Sequence, residues 1–314
     1  MQEARIVAGG IAGRNVAQGL DAAPNYGRKQ VWIAWVPLAV LPLACIALRS
    51  VLIPWVFMWL LAGTIFIGCK WQTWWEAQGS PFKRNWRRSA AYLLLWPGMG
   101  ARQFLDPVWP KRSVRLAEWL AALFKTLAGA ALIAGAKSEF LAGHPLLRGW
   151  FGMIGIVLIL HFGAFYFIAL TWQSIGVHAE PIMQRPLQSQ SLSELWGKRW
   201  NLGFRDLSHK LVFRPLQRRY GVVAATLAVF LMSGLVHDLV ISVPARAGFG
   251  LPTAYFLTQG LAVIVERSQI GKRLGLGSGI TGRIWTALIA LGPVLLLFHP
   301  WFVTRVMVPF LSAI

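Results

Sequence analysis

Long apolar stretches alternate with basic stretches along most of the chain. Several apolar stretches approach the length of about 20 residues that an α-helix needs to cross the hydrocarbon core of a bilayer. The pattern therefore predicts transmembrane helices. The predicted spans, in chain order, are residues 31–48, 51–69, 116–136, 149–172, 220–243, 251–265 and 284–303.

One apolar segment, residues 90–98, is too short to cross a membrane. It reads AAYLLLWPG, is interrupted by Pro97 and Gly98, and has basic residues on both sides. We expect a re-entrant or interfacial element here rather than a full span. The positive-inside bias then predicts an N-terminus inside, a C-terminus outside and about seven spans. The loops predicted to be cytoplasmic are residues 70–115, 173–219 and 266–283.

These features predict an all-α integral membrane protein. The length accommodates a multi-pass helical bundle of about seven to nine helices, re-entrant elements included. Residues 31–314 are predicted to form a single membrane domain. Residues 1–30 are polar and lack the early apolar core of a signal peptide, so they are predicted to be a mobile cytoplasmic tail.

The composition agrees with a membrane protein. Hydrophobic residues make up 56% of the chain and charged residues only 13%, whereas about a quarter of a soluble domain is charged. The net charge of +20 would suggest nucleic acid in a soluble protein. Here no nucleic-acid-binding motif accompanies it, and the basic residues lie mostly in predicted loops. Lipid headgroups and anionic substrates are therefore the expected partners, and nucleic acid is not.

A zinc or disulfide framework is not predicted. The two cysteines, Cys45 and Cys69, form no CxxC pair, and the six histidines show no metal-ligand spacing. The sequence also lacks the HExxH, HxxxxD, GxSxG and P-loop motifs. We expect neither a metal nor a cofactor.

The pair His237 and Asp238 lies inside an apolar run. Ionisable groups within a membrane are costly and therefore suggest function. A neutral histidine can act as a general base near pH 7, but a hydrogen-bonded interior histidine fits the residues equally well. Gly234, one turn earlier, either leaves room for a substrate or allows close helix packing. Asp238 is expected to pair with a base such as an arginine rather than to act in catalysis.

The segment before this run is basic and aromatic. Asn201, at the end of WGKRWN, can donate to a thioester carbonyl or a developing oxyanion, or it can cap a helix. A basic opening suits the phosphates of a nucleotide-bearing thioester such as acyl-CoA. Positive-inside bias explains most of the same charges. The residues predicted to bind substrate are Lys198, Arg199, Trp200 and Arg205.

Four segments together resemble the wax synthase branch of the membrane-bound O-acyltransferases. In chain order they are YLLLWPGM, LHFGAFYFIALTWQSIGVHAEPIMQRP, SLSELWGKRWN and FLMSGLVHD. The resemblance implies helices enclosing a tunnel, with a core near residues 146–245. By this likeness His237 matches the catalytic histidine of the family and Asn201 its upstream asparagine. Relatives often carry Glu where this chain has Asp238.

The resemblance implies an enzyme that transfers a fatty acyl group from acyl-CoA, as substrate, to a lipophilic alcohol. A long-chain alcohol, giving a wax ester, is the first choice of acceptor. A sterol, a diacylglycerol or a polar acceptor stays open. The rival interpretation is a lipid transporter or flippase in which His237 relays protons. A bacterial inner membrane is expected, or the endoplasmic reticulum in a eukaryote.

Overall fold

A computed structural model describes residues 28–78 and 85–314. Every regular element in these two ranges is helical, so the predicted all-α fold is confirmed. The predicted tail, residues 1–30, lies outside the described residues except for its last three, which begin the first helix.

The helices are numbered here in chain order. They are α1 (Arg28–Ala47), α2 (Pro54–Ala77), α3 (Trp86–Leu95), α4 (Ala101–Leu105), α5 (Leu116–Ala136), α6 (Pro145–Ser174), α7 (Leu192–Glu194), α8 (Leu202–Ala245), α9 (Leu251–Arg267), α10 (Gln269–Arg273), α11 (Gly279–Leu297) and α12 (residues 300–313). Short 3-10 turns occupy Glu139–Leu141 and Pro186–Gln188, and π-helical segments occupy Leu158–Ala164, Leu195–Arg199, His209–Phe213, Asp238–Ser242 and Val303–Met307.

Five of these helices are long and apolar enough to cross a membrane, namely α2, α5, α6, α8 and α11. Many of their large apolar side chains are exposed, among them Phe124 at 73% and Leu235 at 56%. Exposed apolar surface of this extent is expected against lipid rather than water. The chain is therefore a multi-pass helical membrane protein. Two other predicted spans fall in α1, whose apolar part is the shorter stretch Trp32–Ala47, and in α9, which has 17 residues.

The segment 90–98 does not form a full span. Helix α3 has 10 residues and so rises about 15 Å, half of the hydrocarbon thickness of about 30 Å. Residues 96–100, which follow it before α4 begins, have no regular structure. Tyr92 and Phe104 are fully buried and pack together, with ring centroids 5.7 Å apart.

The prediction of a loop over residues 173–219 is wrong for much of that range. Helix α7 and its π-helical continuation lie within it, and α8 begins at Leu202 rather than near Tyr220. Lysine and arginine are good helix formers, so positive-inside bias marks a membrane surface without distinguishing a loop from a helix end. Gly221, with φ 83°, interrupts the regular dihedral angles within α8.

Glycines bring neighbouring helices into close contact. A Cβ atom at Gly129 of α5 would lie 2.7 Å from the carbonyl oxygen of Gly155 in α6, and the reverse distance is also 2.7 Å. On another part of α6, Gly149 and Gly152 face side chains of α12. Small residues at such crossings are typical of membrane helices.

The largest core cluster surrounds α9. It joins buried side chains of α7, α8, α9 and α12, including Leu192, Phe230, Phe256 and Val303. Helix α9 lies beside α8 along much of its length. The fold therefore places WGKRWN, which precedes α8, and SGLVHD (residues 233–238), which lies within α8, against one common helix.

Candidate active site

His237 lies on α8, immediately before the π-helical segment Asp238–Ser242. Its Nδ1 is 2.7 Å from the carbonyl oxygen of Ser233. Because a carbonyl oxygen can only accept, Nδ1 carries the proton, and in the neutral ring Nε2 keeps its lone pair. Among the described residues no hydrogen bond reaches Nε2, and the side chain is only half-buried. The histidine is thus fixed through one nitrogen and available as a base through the other.

Phe256 of α9 links the two motifs. Its ring packs against the imidazole of His237, with centroids 4.4 Å apart, and against Trp196 of WGKRWN at 5.8 Å. The Trp196 indole also donates from Nε1 to Oε1 of Gln259, 3.4 Å away and one turn further along α9. The segments WGKRWN and SGLVHD therefore meet at Phe256. The importance of α9 was not predicted, although Gln259 in an apolar helix is a signal that could have indicated it.

Asn201 caps the start of α8. Its backbone is left-handed, with φ 44°, and Oδ1 accepts from the backbone N–H of Phe204 at 3.2 Å. The cap interpretation is therefore confirmed by the geometry. Oδ1 is held by this bond, while Nδ2 donates no hydrogen bond within the described part of the chain. The cap thus fixes the side-chain amide with its donor end unused.

The segment WPGM packs against the start of α8, close to Asn201. A Cβ atom at Gly203 would lie 3.4 Å from the backbone nitrogen of Met99. The carbonyl oxygen of Gly98 accepts from the buried Nζ of Lys70 at 2.8 Å. The YLLLWPGM element and the start of α8 are therefore neighbours in the fold.

A buried carboxylate on α9 binds the start of α7, the short helix just before WGKRWN. Glu266 is 4% exposed, and it accepts from the backbone N–H groups of Leu192 at 2.6 Å and Ser193 at 3.1 Å. Carboxylates at a helix N-terminus are favourable because they satisfy its unpaired N–H groups. The sequence analysis missed Glu266. The available signal was that it is the one acidic residue between residues 251 and 283.

Arg199 holds its own segment together. Its guanidinium lies 2.7 Å from Oε1 of Glu194 and donates to the carbonyl oxygens of Gln184 and Arg185 at 3.3 and 3.2 Å. The pKa of Glu194 is lowered, first by the backbone N–H of Gln190 and then by Arg199. Most donors of Arg199 are therefore committed within the fold.

The other predicted substrate-binding residues differ in their surroundings. Lys198 is exposed and forms no ion pair with any residue that the structure describes. Arg205 lies 3.1 Å from Oδ1 of Asp206. Trp200 is half-buried, with its ring centroid 6.5 Å from that of Trp196. Lys198 is the member of this set whose charge is best placed to meet an anionic ligand.

Asp238 joins α8 to α9. Its Oδ1 accepts from Ser242 Oγ at 2.9 Å and from the Gly250 N–H at 2.8 Å, and its Oδ2 accepts from the Thr253 N–H at 3.1 Å and from Thr253 Oγ1. The expected arginine partner is wrong, since Asp238 takes part in none of the ion pairs among the described residues. Backbone N–H groups at the N-terminus of α9 and the hydroxyls of Ser242 and Thr253 bind the carboxylate instead.

Gly234 serves helix packing. A Cβ atom there would lie 2.6 Å from Cα of Thr253 on α9. This close approach contradicts the alternative in which Gly234 leaves room for a substrate. Within the described residues, no group of three or more His, Cys, Asp or Glu side chains is arranged to hold a metal ion.

Comparison with known proteins addresses the predicted resemblance. Residues 179–258 match the sequence model of the Membrane bound O-acyl transferase family, and this range contains Asn201, His237 and Phe256. The resemblance to the membrane-bound O-acyltransferases, in their wax synthase branch, is confirmed. The matched range covers the part of the chain in which the two motifs meet.

Several curated relatives match part of the chain. Identity is 29% over 102 residues to the long-chain-alcohol O-fatty-acyltransferase of Simmondsia chinensis, covering 30% of this chain and 29% of that protein. It is 31% over 107 residues to the probable long-chain-alcohol O-fatty-acyltransferase 2 of Arabidopsis thaliana, covering 31% of each. It is 28% over 95 residues to acyl-CoA–sterol O-acyltransferase 1 of Arabidopsis thaliana, covering 28% of each. The matches thus span less than a third of these relatives.

Proposed function

We propose that this protein is a membrane O-acyltransferase that moves a fatty acyl group from acyl-CoA to a lipophilic alcohol. The observation that carries the proposal is the imidazole of His237. Nδ1 is held by the Ser233 carbonyl, Nε2 accepts no hydrogen bond among the described residues, and the ring lies on Phe256 beside Trp196. The names of the relatives support the same reaction class.

In the proposed reaction, Nε2 of His237 takes the hydroxyl proton as the alcohol oxygen attacks the thioester carbonyl carbon. The new C–O bond forms, the C–S bond breaks, and the departing thiolate of coenzyme A receives the proton. The products are an ester and free coenzyme A, and no covalent enzyme intermediate is required. The Ser233 carbonyl favours the imidazolium that forms, because it already accepts from Nδ1.

Asn201 is proposed to stabilise the developing oxyanion. Its Oδ1 is occupied by the Phe204 N–H, so the Nδ2 amide is the part that can donate to a thioester carbonyl. A preorganised donor of this kind typically contributes a factor of about 10²–10³ to the rate. The cap and the catalytic interpretations of Asn201 are therefore compatible.

Acyl-CoA is proposed to approach from the basic end of α8. The exposed Lys198 would contact its phosphates, and Arg205 and Trp200 lie close to it in sequence. Arg199 would stabilise the conformation of this segment through its ion pair with Glu194. Lysine binds phosphate as a point charge rather than through a fixed fork. The acceptor would reach Nε2 through a tunnel open to the bilayer. A bacterial inner membrane stays the proposed location.

The acceptor is proposed to be a long-chain alcohol. Two of the relatives described above carry that acceptor in their names, while a third is named for a sterol. The experiment supplies purified protein in nanodiscs with acyl-CoA and, separately, a long-chain alcohol, a sterol and a diacylglycerol. Free thiol and ester are measured together.

We expect thiol and ester in equal amounts, with the long-chain alcohol giving the highest rate. Thiol without ester would indicate a hydrolase. No reaction with any acceptor, together with protein-dependent movement of a labelled lipid between leaflets, would favour the transporter interpretation and contradict the proposal.

A further inference from the structure

A cavity of about 440 Å³ opens beside the C-terminal end of α8. Its wall is partly apolar, with Leu52, Phe57 and Phe249 among the lining residues. Two arginines, Arg49 and Arg246, line the same cavity. The cavity thus combines two positive charges with a surface that suits an alkyl chain.

The cavity lies at the membrane surface opposite the basic segment. The basic segment ends at Arg219, just before the break at Gly221, and α8 then continues from Val222 to Ala245. At 1.5 Å per residue these 24 residues rise about 35 Å, more than the hydrocarbon thickness of about 30 Å. Positive-inside bias accounts for basic residues at one surface of the membrane. It does not account for a pair of arginines around a cavity at the other surface.

A hydrogen bond holds the two arginines next to each other at the cavity. Nη2 of Arg246 donates to the carbonyl oxygen of Arg49 at 3.4 Å, which joins the α1–α2 turn to the end of α8. Arg246 has left-handed backbone, with φ 52°, an uncommon conformation for a residue with a side chain. Neither arginine forms an ion pair with any residue that the structure describes. Both charges are therefore available to a ligand in the cavity.

We propose that this cavity binds an anionic phospholipid, with its phosphate on Arg49 and Arg246. Guanidinium groups match phosphate oxygens in geometry and charge. The first part of an acyl chain would lie along Leu52, Phe57 and Phe249 and cover the apolar wall. A free phosphate ion would satisfy the arginines but leave that wall exposed. This site is separate from His237 and does not depend on the acyltransferase activity.

The experiment measures thermal unfolding of the purified full-length protein in detergent. Short-chain phosphatidylglycerol, phosphatidylcholine with the same chains, and inorganic phosphate are titrated separately. The variants are Arg49→Gln with Arg246→Gln, and Lys137→Gln, which removes an exposed charge away from the cavity.

We expect phosphatidylglycerol to raise the Tm of the wild type and of Lys137→Gln by at least about 2 °C more than phosphatidylcholine does. The double variant should lose this difference. An equal rise with inorganic phosphate would show a free-anion site and overturn the lipid proposal. The same phosphatidylglycerol effect in the double variant would overturn the site itself.

A second variant keeps the test decisive if Arg246→Gln does not fold. Arg246→Gly removes the same charge and adopts the left-handed backbone without strain. We expect Arg246→Gly, on its own, to reduce the phosphatidylglycerol effect while the Tm without lipid stays close to that of the wild type. An undiminished effect in a folded Arg246→Gly protein would contradict the assignment of Arg246.

Discussion

The two nitrogens of His237 have different surroundings, and this difference underlies the proposed chemistry. The Ser233 carbonyl fixes the protonated Nδ1, and Phe256 limits the tilt of the ring. A histidine held in this way stays in one tautomer and presents Nε2 in a constant direction. Burying an ionisable group at membrane depth is costly. The hydrogen bond at Nδ1 reduces this cost, while Nε2 can still take a proton.

Asn201 provides a substitution that separates its two roles. Asn201→Asp keeps an oxygen for the Phe204 N–H and tolerates left-handed backbone, but it removes the Nδ2 donor. We expect the free energy of unfolding to change by less than about 0.5 kcal/mol. The rate of ester formation should fall by about 10²–10³. Parallel measurement of Tm and kcat tests this, and a stable Asp variant with wild-type kcat would leave Asn201 as a cap alone.

Lys198 and Arg199 are adjacent in sequence, but we expect their substitutions to have different effects. Lys198→Gln removes an exposed charge and should raise KM for acyl-CoA up to about fivefold, as for an interaction below about 1 kcal/mol, with kcat unchanged. Arg199→Gln leaves Glu194 without its guanidinium partner and should lower Tm. Steady-state kinetics and thermal unfolding distinguish the two, with Lys137→Gln as control. An unchanged KM in Lys198→Gln would remove that residue from the acyl-CoA site.

At the scale of elements, the junction between α8 and α9 depends on Asp238. Four donors from Ser242, Gly250 and Thr253 converge on its carboxylate. Asp238→Ala leaves them without an acceptor and should reduce the free energy of unfolding by at least about 2 kcal/mol. Asp238→Asn keeps one oxygen and should lose less. Thermal unfolding measures both.

The same pair of variants tests whether the charge of Asp238 acts in the reaction. We expect any activity of Asp238→Asn to follow the fraction of folded protein. An Asp238→Asn protein with wild-type Tm and no ester formation would show that the charge contributes to the chemistry, contrary to the structural role assigned here.

The crossing of α5 and α6 depends on a pair of glycines. In Gly155→Ala the added methyl group would lie 2.7 Å from the Gly129 carbonyl oxygen, and the helices would have to separate. We expect a loss of about 1–3 kcal/mol. Gly135→Ala on α5 is the matched control, because a Cβ atom there meets no atom within 4 Å. Equal Tm values for the two variants would contradict this packing.

At the scale of the whole molecule, the hydrophobic pattern was sufficient for the all-helical fold and for most spans. It also identified residues 90–98 as too short to cross. It was misleading over residues 173–219, because a series of basic residues is compatible with both a loop and a helix end. The start of α8 at Leu202 depends on the Asn201 cap and on packing against distant residues, and neither is a local property of charge.

The candidate site was predictable in part. His237 and Asn201 stand in recognisable motifs, and the absence of Asp238 from the catalytic residues stays a prediction. Phe256, Gln259 and Glu266 were not predicted. They lie on α9, and their partners Trp196 and Leu192 are 60 or more residues away in the chain. Contacts of that separation arise from the packing of whole helices, which periodicity does not specify.

The central claim is that Nε2 of His237 is the base for acyl transfer, and one comparison tests it most directly. Ester formation from acyl-CoA and a long-chain alcohol is measured for the wild type, His237→Gln and His209→Gln. His209 is an exposed histidine at the other end of α8 and serves as the matched control. At equal amounts of folded protein, we expect His237→Gln to lose a factor of about 10²–10⁴ and His209→Gln to retain wild-type activity. Ester formation by folded His237→Gln at the wild-type rate would contradict the account.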